Sequence, residues 1–262
     1  MSGPLLSVRG LSKRFGAILA TDNLYLDIAR GEMHALIGPN GAGKTTFIGQ
    51  LTGELRANEG TVYFDGSDIT ALSVDARARL GLARSFQISS VFDTFTAEGN
   101  VALSVQSRQS HSFKFWTPAD SIAGLRRPAR EKLAAVGLAG RNATVAADLA
   151  HGEHRQLELA MALATEPRML LLDEPMAGLG IHESRAMTVL LQGLKHRFTI
   201  LLVEHDMDVV FSLADRISVL VGGRIIASGT PAEIRANPEV RYAYLGEDSE
   251  EFLEAESGHA SH

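Results

Sequence analysis

Leu24, Leu26 and Ile28 alternate with polar neighbours, and so do Val62 and Phe64, the period-two pattern of strands covered on one face. Asp65-Gly66 behind the second of these marks a turn. Other apolar stretches do not alternate. Residues 169–172, Thr199–Val203 and 217–221 are continuous apolar runs, the pattern of strands buried on both sides of a parallel sheet. Helical stretches at 182–194 and 207–214 separate them, and Gly222-Gly223 joins the last run to 224–227 as a hairpin. Strand, helix, strand repeated in this way predicts a largely parallel sheet covered by helices.

From about Ile88 to Glu166 the texture changes. Strand signals fade, and helical stretches at 97–109, 122–136 and 153–164 dominate, interrupted by a loop with Phe113, Phe115, Trp116 and Pro118. The expectation is one domain over 1–246. Its α/β core would be residues 1–86 and 167–246, with a helical subdomain inserted at 88–166 and an acidic tail at 247–262. There is no internal repeat.

Within the core, one stretch carries chemistry. Gly38-Pro39-Asn40-Gly41-Ala42-Gly43-Lys44-Thr45-Thr46 fits the phosphate-loop pattern of four spacer residues between glycines, then Lys and a hydroxyl. It follows a strand-like run (Met33, Ala35, Leu36, Ile37) and leads into a helical stretch ending near Gly53. Glycines let backbone N–H groups converge on phosphate oxygens, and the helix N-terminus adds partial positive charge. Lys44 would reach the β- and γ-phosphates of a nucleoside triphosphate, and Thr45 would hold Mg²⁺. The dinucleotide fingerprint is excluded, because Thr46 stands where its last glycine belongs.

Composition narrows the classes without adding a motif. A chain of 262 residues, 45% hydrophobic, buries a sizeable core, and the absence of cysteine excludes disulfides and thiolate metal sites. No apolar run approaches the ~20 residues of a membrane span, so a soluble chain is expected, with any membrane role supplied by a partner. The net charge of −6 comes from Glu247, Asp248, Glu250, Glu251, Glu254 and Glu256; the other 25 acids equal the 25 Lys and Arg. Such a neutral body gives no electrostatic footprint for nucleic acid. The six acids read as a solvated, disordered end.

A second pair of residues completes the chemistry. Met169-Leu170-Leu171-Leu172-Asp173-Glu174 is a buried strand ending in adjacent carboxylates. Asp173 would face the Mg²⁺ shell and Glu174 would take a proton from the attacking water. Alone, such a pair reads as an acidic turn; Lys44 and Thr45 turn it toward catalysis.

These residues resemble the ATP-binding subunits of ABC transporters, from about Leu5 to Gly246. The resemblance implies an α/β fold of the P-loop NTPase kind, a mixed, mainly parallel sheet with an inserted helical subdomain. It also implies roles for single residues. Gln87, in Arg84-Ser85-Phe86-Gln87, falls at the family's glutamine loop, which senses Mg²⁺ and the membrane partner. Leu149-Ala150-His151-Gly152-Glu153 falls at its L-S-G-G-Q signature, where a helix N-terminus receives the γ-phosphate held by a second cassette. His205 matches the histidine that contacts the γ-phosphate, and Phe15 the aromatic that stacks on adenine. Ala150 replaces the usual serine and removes one hydroxyl, while the N–H donors at Gly152 are expected to remain. Gly180 stands where many members carry aspartate.

The run from His151 to Glu158, Ala177-Gly178-Leu179-Gly180, and the ending from Asn237-Pro238 to Tyr244-Leu245-Gly246 resemble the branched-chain (hydrophobic) amino acid importers. That branch implies a second ABC ATPase, two transmembrane permeases, a periplasmic solute-binding protein reached indirectly, and a peripheral place on the cytoplasmic face of the inner membrane. Two other readings stay open: the ATPase of a lipopolysaccharide-type exporter, which shares every residue above, and a soluble cassette with no membrane partner.

Overall fold

The computed structural model describes residues 3–85, 91–108 and 123–245. The chain forms two compact units, one of residues 1–77 with 191–262 and the other of residues 78–190.

The first unit opens with β1 (Leu6–Phe15) and β2 (Ile18–Ile28), paired antiparallel, followed by β3 (Met33–Ile37). On β2, Leu24, Leu26 and Ile28 are buried while Tyr25 and Asp27 face outward, as the alternation predicts. Helix α1 (Lys44–Thr52) comes next. It ends on Gly53, whose φ of 87° suits a residue without Cβ and whose N–H caps the Gly49 carbonyl. Strands β4 (Glu59–Phe64) and β5 (Ser67–Asp68) meet across the Asp65-Gly66 turn, and β4 pairs antiparallel with β1. Helix α2 (Val74–Arg79) closes this part.

Its last residues include Arg77, 3% exposed, which donates to the carbonyls of Gln50, Leu51, Thr70 and Leu72. The first two belong to the last turn of α1, where helix carbonyls have no partner of their own. A buried cation therefore caps the helix that follows the phosphate loop. Burial holds its pKa below the ordinary guanidinium value, the sign expected for a charge removed from water.

The second unit holds the parallel pair β6 (Leu82–Ser85) and β7 (Met169–Asp173). Between them lie α3 (Ala97–Arg108), α4 (Ala123–Ala135) and α5 (His151–Ala164), and α6 (Ile181–Leu194) follows. Val101, Leu125, Ala129, Leu133 and Leu157 bury their side chains. The aromatic loop expected at 113–118 and the acidic tail fall outside the described residues.

The chain then returns to the first unit through β8 (Thr199–Val203), α7 (Met207–Leu213), β9 (Arg216–Val221) and β10 (Arg224–Gly229), ending in α8 (Pro231–Ala236) and α9 (Pro238–Leu245). Strand β3 pairs parallel with β8 on one side and β9 on the other, and β10 runs antiparallel to β9 across Gly222-Gly223. The result is a mixed, mainly parallel arrangement. All five residues of β3 and of β8 are buried, which is why β8 reads as a continuous apolar run and β3 as one interrupted only by His34, whose ring meets Glu32 and Ser218. A core of Ala35, Ile37, Val210, Ile217, Val219, Ile234 and Val240 packs α7 to α9 against it.

Candidate nucleotide site

In the first unit, parallel pairing sets the register. Leu36 lies beside Val203 and Ile37 beside Val219, so the loop after β3 and the residues after β8 emerge at the same, carboxyl end of the strands. That end of an open α/β sheet is where ligands bind. Residues 38 to 43 leave β3 there and enter α1.

Packing explains which glycines the loop needs. A Cβ on Gly38 would lie 2.1 Å from the Leu220 carbonyl oxygen, and one on Gly43 would lie 2.2 Å from that of Ala20. Gly43 also has φ of 105°, so no side chain fits there in either sense. The loop is anchored by the Gly223 N–H to Ala42 O at 2.9 Å, and Asp22 N–H reaches Gly223 O at 2.8 Å. Ala42 N–H turns back to Pro39 O at 3.1 Å, whereas the N–H groups of Gly41 and Gly43 make no backbone hydrogen bond among the described residues. The N–H groups of Thr45 and Thr46, in the first turn of α1, have no backbone partner among the described residues either. The Lys44 ammonium donates to the carbonyls of Gly38 and Pro39, arching over its own loop. Thr45 is exposed and Asn40 and Gly41 stand outermost. Clustered N–H donors, an ammonium and an exposed hydroxyl suit a phosphate chain and the metal that accompanies it.

Two other expected residues lie in this unit. Phe15 ends β1, 46% exposed as a residue, with the Lys13 ammonium 5.2 Å from its ring centroid, an apolar platform beside a cation. His205 follows β8 with its side chain 67% exposed. Its N–H donates at 3.1 Å to Glu204 Oε2, and Glu204 is only 1% exposed. Asp206 then caps α7 by accepting from Val209 N–H at 3.1 Å. A short cap and a buried acid hold the histidine's backbone while leaving its ring outward.

The carboxylate pair and the signature residues belong to the second unit. Asp173 ends β7, and its Oδ2 accepts from Arg84 Nη2 at 2.9 Å, both side chains being 10% exposed. Glu174 has φ of 51°, the left-handed region that a residue with Cβ enters at a cost of about 1–3 kcal/mol. The twist turns the chain sharply off the strand, and Ala177 N–H closes the turn on Glu174 O at 3.0 Å. Gln87 lies outside the described residues.

Ala150 is the N-cap of α5, with φ −64° and ψ 159°. Lacking a side-chain acceptor, it leaves half of a capping box: Glu153 Oε2 takes the Ala150 N–H at 3.0 Å, and nothing reciprocates. That hydrogen bond, followed by Arg141 at 2.7 Å, draws the Glu153 pKa below its ordinary value. Gly152 differs from expectation. Its N–H is not left open but donates at 3.3 Å to Glu183 Oε1, while Glu183 Oε2 takes the Gly180 N–H at 3.1 Å. One carboxylate thus bridges the starts of α5 and α6. Glycine at 152 admits it, since a Cβ would lie 2.8 Å from Glu183 Oε1. Arg77, Arg84, Glu183 and Glu204 are the site-supporting residues that sequence reasoning missed; only Glu183, three residues after Gly180 at a helix start, had a local signal, that of a capping acid.

The chain resembles known proteins along most of its length. The profile of the ABC transporter family matches residues 21–177, and that of the branched-chain amino acid ATP-binding cassette transporter matches residues 224–250. The high-affinity branched-chain amino acid transport ATP-binding protein LivG of Escherichia coli is 39% identical over 254 residues, covering 94% of this chain and all of LivG. BraF of Pseudomonas aeruginosa, described in the same words, is 40% identical over 259 residues with the same coverage. Among solved structures, the ADP conformation of MJ1267, an ATP-binding cassette of an ABC transporter, superposes with a TM-score of 0.82 at 29% identity, covering 93% of this chain and 99% of that one. With the phosphate loop on the carboxyl ends of its strands, the chain belongs to the ABC transporter family as an ATP-binding, ATP-hydrolysing subunit.

Proposed function

We propose that this subunit powers import of branched-chain or other hydrophobic amino acids, in company with a second ABC ATPase and two transmembrane permeases fed by a periplasmic solute-binding protein. The observation that carries this reading is the end-to-end similarity to LivG and BraF, joined to the separate branched-chain match at 224–250. Among the described residues no helix is long and apolar enough to cross a membrane, so the subunit would meet the bilayer through its permeases, on the cytoplasmic face.

ATP is held at the loop of Gly38 to Thr46. Its N–H groups and Lys44 neutralise the phosphates, and Phe15 offers the adenine a stacking face. Thr45, Asp173 and Gln87 are the residues that would hold Mg²⁺, which would supply positive charge against the transferring phosphoryl group. Glu174 accepts the proton of the attacking water, and the His205 ring, left outward by its buried neighbour, donates to the γ-phosphate. Ala150, Gly152 and Glu153 form the face that meets the nucleotide of the second cassette. Gly152 can donate there once Glu183 gives up its N–H.

The test is to isolate the chain from gently solubilised native membranes and identify what accompanies it. Two polytopic permeases and a second, related ATPase are expected. A lipid-exporting permease with two copies of this chain, or recovery with no membrane protein, would overturn the importer reading.

A further inference from the structure

The second unit holds a buried charge that the roles above leave unused. Arg84 sits on β6, whose parallel register with β7 places Arg84 beside Leu171 and Ser85 beside Leu172. The long guanidinium side chain therefore runs forward along the strand direction and reaches Asp173, the residue that ends β7. The contact is 2.9 Å from Nη2 to Oδ2, and both side chains are 10% exposed. Exposed ion pairs contribute little and hold little in place. This one is shielded, and a planar guanidinium on one carboxylate oxygen fixes the carboxylate's rotation.

We infer that Arg84 is a positioning residue for the metal site: by gripping Asp173 Oδ2 it fixes the orientation of the carboxylate that would hold Mg²⁺. The inference rests on the reading of Asp173 as the acid of that site. Two effects of Arg84 oppose each other. Its positive charge weakens the pull of Asp173 on a cation, and its grip removes the freedom of the carboxylate to turn away. Because Mg²⁺ demands near-ideal octahedral geometry, orientation is expected to be the larger effect. Partners that orient metal-shell groups from behind typically change metal affinity by about 10–100-fold when removed. Lys at this position would keep the charge but lose the planar fork, so it should recover part of the effect.

The test uses the full chain and a non-hydrolysable ATP analogue, titrated by calorimetry with Mg²⁺ and again with EDTA. The readout is the ratio of the two affinities. For Arg84→Met the Mg²⁺-dependent gain should fall by about tenfold or more, with the affinity in EDTA within about twofold of the parent, and Arg84→Lys should lie between. An unchanged ratio overturns the inference. So does an equal loss with and without Mg²⁺, which would make Arg84 merely structural, and so does a larger gain, which would make it a competitor of the metal. Thermal melting without nucleotide checks folding, and if Arg84→Met does not fold, Arg84→Lys alone decides by the same ratio. Asp173→Asn separates the two layers. If it keeps the full Mg²⁺ gain, the reading of Asp173 fails; if it loses the gain while Arg84→Met keeps it, only the role of Arg84 fails.

Discussion

Replacing Ala150 by serine isolates one hydroxyl at the start of α5. The backbone of Ala150 already has N-cap geometry, and Glu153 already supplies the return half of a capping box through the Ala150 N–H at 3.0 Å. A serine Oγ would accept the Glu153 N–H with no rearrangement and complete the pair. N-cap serine is worth about 1 kcal/mol over alanine. In a chain of this size that corresponds to a rise of about 2–4 °C in unfolding midpoint. Thermal unfolding of the isolated full chain without nucleotide measures it, with Ala150→Val, which brings no acceptor, as the control without gain. An unchanged or lowered midpoint for Ala150→Ser would refute the cap geometry. The same substitution tests the site. If the missing hydroxyl slows the signature face, ATP turnover of the assembled complex should rise by less than the ~1.5–3 kcal/mol that a hydrogen bond to a charged group can contribute. An unchanged rate would sink that idea while leaving the stability gain standing.

Three further perturbations address other parts of the account. Glu174→Gln should keep ATP affinity and lower turnover by about 10²–10⁴-fold, the range for a lost general base; wild-type turnover would remove Glu174 from that role. Arg77→Met should destabilise the chain by about 3 kcal/mol or more in urea denaturation, because two buried and two part-buried carbonyls lose a charged donor; a loss below about 1 kcal/mol would mean water replaces it. For Glu153 the folded pKa lies below the ordinary 4.5, so its stabilisation is present above pH 4.5 and lost as pH falls through the depressed value. Glu153→Gln should therefore melt lower than the parent at pH 7, with the gap closing below pH 4.5, whereas a pH-independent gap would exclude an ionic origin.

Much of this arrangement was legible in the sequence because each element carries its own local signal. The runs at β7 and β8 are almost wholly apolar because both sheet faces are covered, while β3 and β9 each bury one polar residue, His34 and Ser218; the glycines at 38 and 43 are required by backbone oxygens lying about 2 Å from any Cβ. Strand β1 escaped for a physical reason. Its pairing with β2 shifts register between Val8 and Leu11, again before Lys13 and again before Arg14, and Gly10 has φ of 62°. Bulges of this kind break the period of two on which strand recognition depends. Helix α5 begins at His151, two residues earlier than its apolar period predicts, because an alanine cap gives no polar start signal. Arg84 on Asp173 and Glu183 on Gly152 were beyond sequence reasoning for another reason. Their partners lie 89 and 31 residues away, and only the folded register of β6 and β7 and the convergence of two helix starts brings them together.

On the proposed function, hydrolysis at Glu174 drives solute inward. Its most direct test is uptake of radiolabelled leucine into proteoliposomes holding the complete complex, with ATP and the solute-binding protein on their respective sides. Leucine accumulation that requires ATP and disappears with Glu174→Gln is the predicted result. ATP hydrolysis that proceeds at full rate with no leucine, isoleucine or valine accumulating would contradict the claim.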